Sequence, residues 1–201
     1  MPVARRRMSD LPSIRAKTLD GLIRAGSQAW DEFRAYAKDR HHLFIPCDHR
    51  GAYEALRDLR SRAATFVEFG SAAGIVTIMA DLLGFEAYGI ELEPWLVNRS
   101  MEIAEQFGSA AVFAEGTFVT PAYQDEIELL SADFLTPTNG ACAFDELGLE
   151  LSDFDLVFAY PWPGDEDWLG ELMRRHARAD TILLTYDASE GFLVSQPSQP
   201  S

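Results

Sequence analysis

Thr65-Phe66-Val67-Glu68-Phe69-Gly70-Ser71-Ala72-Ala73-Gly74 begins as an apolar run, reaches an acid, and turns on small residues into Ile75, Ile78, Met79, Leu82 and Leu83. The spacing i, i+3, i+4, i+7, i+8 puts those five side chains on one face of a helix. Gly84 follows as a left-handed stop. Strand, small-residue turn and helix together form the unit with which an α/β sheet offers its backbone to a nucleoside cofactor. The next apolar run, Ala87–Glu91, ends on a second acid, placed to bind ribose hydroxyls. Pro94 then stands where a first-turn proline is tolerated, opening a helix through Leu96, Ile103, Ala104 and Phe107 that Gly108 ends.

Outward from that unit, strands and helices continue to alternate. Glu126–Leu130 is read as strand three, because Ser131-Ala132-Asp133-Phe134 after it looks like a strand end reaching a ligand. Ala110–Phe113 and Thr117–Val119 fit either short strands or a loop. Strand four is Asp155–Tyr160, cut short by Tyr160-Pro161-Trp162-Pro163-Gly164. A helix near Asp165–Arg178 carries Trp168, Leu169, Leu172, Met173 and His176 on one face, and strand five is Thr181–Tyr186. This alternation predicts an α/β, Rossmann-like, doubly wound and mainly parallel sheet covered on both faces. Only Gly191–Val194 is strand-like after strand five, so a shortened C-terminal strand pair is expected. Before the sheet, residues 9–39 read as helical with a break at Gly26-Ser27. An extended connector around Pro46 follows, then a helix over Gly51–Arg62. The expected division is 1–50 as helical extension and connector, 51–194 as the cofactor-binding domain, and 195–201 as a disordered tail.

Composition narrows the function. At 201 residues and 47% apolar, the chain suits one domain with a sizeable core. No apolar run approaches the roughly 18 residues of a membrane span, and the Arg-rich start lacks the apolar stretch of a signal peptide. Two cysteines are too few for a disulfide framework, which makes reduced thiols and a cytoplasmic location the expectation. Residues 1–62 hold 13 Lys/Arg against 8 Asp/Glu, whereas 63–201 hold 4 against 24. An acidic core repels phosphate backbones, so no nucleic-acid partner is expected; it suits a cationic partner or simple solubility. His41, His42, His49 and His176 show no metal spacing and read as structural or solvated. No Ser-His-Asp or Cys-His set supports hydrolysis.

The glycine spacing identifies the cofactor class. A dinucleotide fingerprint starting at Gly70 would need glycine at 72 and 75, where Ala72 and Ile75 stand. The pattern acid-x-G-x-G-x-G fits Glu68, Gly70 and Gly74, with Ala72 as the exception. Glu68 also favours a cofactor with an ammonium and a sulfonium over one with a pyrophosphate, and S-adenosylmethionine is such a molecule. Glu91 and Asp133 are then placed for its ribose hydroxyls and exocyclic amine, with Leu92 and Phe134 flanking the adenine.

From Phe44 to about Thr185 the sequence resembles class I S-adenosylmethionine-dependent methyltransferases. A narrower likeness lies in Tyr88-Gly89-Ile90-Glu91-Leu92-Glu93-Pro94-Trp95-Leu96-Val97, preceded by Phe44-Ile45-Pro46. It is similar to the small protein-lysine methyltransferases acting on adenine nucleotide translocase and the ATP synthase c-subunit. The resemblance implies that Glu68, Phe69, Gly70, Ser71, Ala72 and Gly74 line the methionine end. It also implies that Glu91, Leu92, Asp133 and Phe134 hold the adenosine. Tyr160, Pro161 and Trp162 occupy the place of the family's Asn/Asp-Pro-Pro-aromatic turn beside the transferred methyl. Tyr160 in place of the amide or acid argues against adenine or glutamine N-methylation. It leaves either an aromatic wall for a lysine or a rigid turn burying Trp162. The expected activity is therefore N-methylation of a protein lysine. A small-molecule methyltransferase and a non-catalytic S-adenosylmethionine-binding module are the alternatives.

Overall fold

The computed structural model describes residues 12–37, 47–120, 123, 136 and 140–197. Two helices come first, α1 (Ala16–Tyr36) and α2 (His49–Leu59). The core continues with β1 (Thr65–Phe69), α3 (Ile75–Leu82), β2 (Glu86–Glu91), α4 (Pro94–Phe107) and β3 (Val112–Glu115). It is completed by α5 (Ala143–Leu147), β4 (Leu156–Ala159), α6 (Glu166–His176), β5 (Ile182–Asp187) and β6 (Gly191–Ser195). Among the described residues the strands form one sheet in the order β3-β2-β1-β4-β5-β6. Every pairing is parallel except the last, where β6 runs antiparallel to β5.

Strand alternation divides the core into two. Phe66, Leu156, Phe158, Ile182 and Leu184 face α1 to α4, while Val67, Val157 and Leu183 face α5 and α6. Successive side chains point to opposite faces, so Glu68 shares the face of Phe66. The strands are nearly continuous apolar runs because both faces are covered.

α1 belongs to the first of these cores, with Leu19, Leu22, Ala29 and Phe33 buried in it. The expected break at Gly26-Ser27 is absent, and the helix is continuous. Gly26 instead permits close approach: a Cβ there would lie 2.6 Å from Ile75 Cγ1. α2 starts where the Asp48 carboxylate accepts the N–H groups of Arg50 and Gly51, each at 3.1 Å, as an N-cap does.

The strand beside β2 is Val112–Glu115, in the stretch that read as either strand or loop. Only its two central residues are buried, so this short edge strand has too little apolar signal to stand out. The segment expected to be strand three, Glu126–Leu130, lies outside the described residues, as do Asp133 and Phe134. Of the expected C-terminal pair, the described residues contain the single strand β6. No described helix is long and apolar enough to cross a membrane.

Candidate active site

The strand order reverses between β1 and β4, and ligands of open α/β sheets bind in the crevice outside the carboxyl ends at such a point. A cavity of about 470 Å³ lies there. Its floor is the β1 end and the turn after it, residues 68–73; Phe158 and Tyr160 close the β4 side. The remaining wall comes from α1, through Trp30 and Asp31, and from residues 47–50.

The turn is held by its neighbours. Gly70 and Ser71 both donate their N–H groups to the Ile90 carbonyl at 2.9 Å, and Gly74 donates to Ser71 O at 2.7 Å. Ala72 N–H donates to Glu91 Oε2 at 2.8 Å, while Glu93 N–H donates to Glu91 Oε1 at 3.0 Å. Ala72 has φ +48°, left-handed backbone that favours glycine. At Gly74, with φ +73°, a Cβ would lie 2.5 Å from the Phe113 ring, so no side chain fits between α3 and β3.

Ser71 is 3% exposed, and its buried hydroxyl faces Gly89, where a Cβ would lie 2.8 Å from it. A Cβ on Gly70 would meet nothing within 4 Å, so open space stands over that residue.

Glu68 is buried with Oε2 accepting from both the N–H (2.9 Å) and the hydroxyl of Thr77. Burial outweighs those bonds and raises its pKa to about 8, with Glu91 adding a smaller push. Burial likewise raises Glu91, against the backbone N–H groups of Glu93, Ala72 and Leu92. Burial pushes the Cys47 thiol up, helped by Glu68 and Asp48. It lowers His49 below the usual imidazole range, with Asp48 opposing. Tyr160 packs its ring at 79° to that of Tyr186 with centroids 4.9 Å apart; burial and Tyr186 raise its phenol.

Of the residues singled out from sequence, Glu68, Phe69, Gly70, Ser71, Ala72 and Tyr160 line the cavity. Gly74 and Glu91 stand behind the turn and shape it. Leu92 is half-buried, and a Cβ on Gly140 would come within 2.8 Å of it. Pro161 and Trp162 are half-buried but do not line the cavity. The Trp162 carbonyl closes the turn into α6 by accepting Asp165 N–H at 2.8 Å.

No family model matches the chain. The ATP synthase c-subunit lysine N-methyltransferase of Mus musculus is 32% identical to it over 126 residues, 60% of this chain and 49% of that protein. The same-named Xenopus laevis protein is 41% identical over 54 residues, 27% of this chain and 24% of that one. The chain thus spans about half the length of the mouse relative and about a quarter of the frog one. An RNA methyltransferase from Salinibacter ruber, solved in complex with S-adenosyl-L-homocysteine, superposes with a TM-score of 0.51 at 18% identity. That match covers 71% of this chain and 78% of that structure. The chain has the class I methyltransferase fold.

Within this methyltransferase fold, sequence reasoning missed the wall made by Trp30, Asp31, Cys47 and His49. Its one signal was the apolar stripe of α1, which shows that the helix packs but not where. His49, which read as structural or solvated, lines the cavity.

Proposed function

We propose that this chain is an S-adenosylmethionine-dependent methyltransferase that N-methylates a protein lysine. The observation that carries the reading is the open turn at Gly70 beside a cavity of about 470 Å³ at the topological switch point. S-adenosylmethionine, when bound, supplies an electrophilic methyl on a sulfonium. Gly70, Ser71 and Ala72 would line its methionine end, with Phe69 beside them and Glu68 beneath. Gly74 keeps α3 close enough for that turn to form. Glu91 keeps lone-pair capacity for ribose hydroxyls beyond the backbone N–H groups it already accepts. The same-site reading assigns Leu92, Asp133 and Phe134 to the adenine.

The lysine acceptor draws on the 32% identical relative, whose name specifies a lysine, and on the charge of the cavity. Asp31 and Asp48 line it, and Arg50, the one arginine among its described lining residues, is paired with Asp20. Tyr160 and Trp30 add aromatic faces of the kind that attract ammonium groups, while Pro161 and Trp162 set the turn that holds Tyr160. A small-molecule amine is the second reading, favoured by α1, which walls the cavity on the acceptor side.

Calorimetry with S-adenosylmethionine and S-adenosylhomocysteine tests the cofactor; no heat from either at millimolar concentration would sink it. Incubating the protein with methyl-labelled cofactor in a cell lysate then tests the acceptor. Label in protein, released as methyl-lysine on hydrolysis, supports the lysine reading. Label only in small molecules supports the second reading, and no turnover despite binding leaves a cofactor-binding module.

A further inference from the structure

Resting on the lysine reading above, we infer that His49 accepts the proton that the substrate ammonium must lose before its nitrogen can attack. A lysine side chain enters as an alkylammonium with no lone pair. One N–H bond must break, leaving its electron pair on nitrogen, while a new N–H bond forms on an acceptor of the cavity. The total charge is unchanged by that transfer.

Few groups of the cavity are able to take this proton. Glu68, from β1, already holds one, since burial raises it to about 8. The Cys47 thiol and the Tyr160 phenol are both pushed up by burial and keep theirs. Asp48 Oδ1 is committed to the first turn of α2. Asp31 is exposed on α1, at the solvent side. Arg50 has no lone pair to offer and is bound to Asp20.

His49 differs from all of these. It lines the same cavity as Glu68, the 70–72 turn and Tyr160. Among the described residues its imidazole makes no hydrogen bond, so one ring nitrogen keeps an uncommitted lone pair. Burial keeps it neutral at pH 7 despite Asp48, and the positive end of α2 acts in the same direction. The ring lies against α1 beside the start of α3: its Cε1 is 3.6 Å from where a Cβ on Gly26 would stand, and Ile75 Cγ1 is 2.6 Å from the same point. Half-buried but not sealed from solvent, it is able to return the proton to water. Loss of water lowers the pKa of an ammonium, against the pull of the Asp31 and Asp48 carboxylates, and narrows its gap to the imidazole.

The experiment has a structural and a kinetic arm. In the first, protein with ¹³C-labelled histidine is saturated with S-adenosylhomocysteine and titrated by NMR, with n-butylamine as the side-chain probe. The His49 ring should titrate below the ordinary imidazole value, and millimolar butylamine should move its signals. A ring that titrates at or above that value, or ignores butylamine, overturns the inference without any variant. In the second arm, label transfer into lysate protein is followed against pH for wild type, H49Q and H49N. At pH 7.5 both variants should lose roughly 100-fold in rate while their calorimetric affinity for S-adenosylhomocysteine stays within about twofold. Their rates should climb with pH as the amine deprotonates unaided. Equal rates for wild type and variants remove His49 from this role but leave methyl transfer standing. No label transfer by wild type withdraws both readings together.

Discussion

Glu68→Gln should remove a fall in the stability of this protein as pH rises. In the folded state the carboxyl is buried against Thr77, and its pKa is raised from 4.5 to about 8. An unfolded chain exposes the same group and ionises it near the ordinary value. Between those two values the unfolded state therefore binds fewer protons, so stability falls as pH rises. The contribution is fully present below about 4.5 and gone by about 8. At about 1.4 kcal/mol per pH unit, the interval from pH 5 to pH 8 corresponds to about 4 kcal/mol. A glutamine at this position cannot ionise and loses none of it. Its amide carries two N–H donors where the protonated acid has one O–H, and the extra donor costs about 1–2 kcal/mol. Expected, then, is a variant no more stable than wild type at pH 5 and clearly more stable at pH 8. Urea unfolding at pH 5, 6, 7 and 8, extrapolated to water, measures both curves. The difference between them is the quantity to read. His49 and His176 are lowered by burial and act alike on both proteins, while the coupling of Glu68 to Glu91 is a smaller contribution than its burial. A difference that changes by less than about 1 kcal/mol over that range would refute the buried neutral carboxyl.

Three further substitutions probe the turn. Gly74→Ala forces a methyl into the Phe113 ring, where the ideal Cβ would lie 2.5 Å away, at a left-handed φ. A loss of about 3 kcal/mol or more in thermal or urea unfolding is expected from overpacking plus backbone strain. Ala72→Gly relieves left-handed strain of about 1–2 kcal/mol but loses about as much in chain entropy and buried methyl. Stability should stay within about 1 kcal/mol of wild type, and a drop of several would mean that residue 72 is not in the left-handed region. Glu91→Ala should weaken S-adenosylhomocysteine at least about tenfold by calorimetry, the value of one charged hydrogen bond. Unchanged affinity would place the ribose elsewhere.

What the sequence revealed, and what it concealed, follows from the range of each interaction. The turn after β1 is local: acid, small residues and helical stripe lie within twenty residues, and the structure keeps all of them in place. β4, α6 and β5 were legible for the same reason, with boundaries within a residue or two. β3 was not, because an edge strand with two buried positions carries little periodicity. α1 read as an extension since an apolar stripe specifies burial without naming the partner. Its packing against α3 depends on Gly26, whose absent side chain looked like a helix break. The cavity wall illustrates the same limit. Trp30, His49 and Tyr160 are distant along the chain, and helix packing on α3 for the first two and the strand order for the third bring them to one crevice.

Ala72 shows how the tertiary structure imposes a conformation that its own side chain resists. The acid-x-G-x-G-x-G pattern fails at this position alone, and the concern from sequence was a methyl crowding the cofactor. In the fold the residue adopts the left-handed backbone that a glycine would have taken, φ +48°, and is 8% exposed. Non-glycine residues stay there only where their surroundings over-determine them. Here the surroundings are identifiable. Ala72 N–H is held by Glu91, the two preceding N–H groups converge on Ile90, and Gly74 closes back on Ser71. Glu91 therefore acts before any cofactor arrives, because it shapes the turn from the end of the neighbouring strand. Its removal should alter the turn as well as a ribose contact. Glu91→Gln separates the two: it keeps one oxygen for the Ala72 N–H but loses the charge. Cofactor affinity lost in E91A and largely kept in E91Q would assign the acid to the turn, whereas equal loss in both would assign it to the ribose.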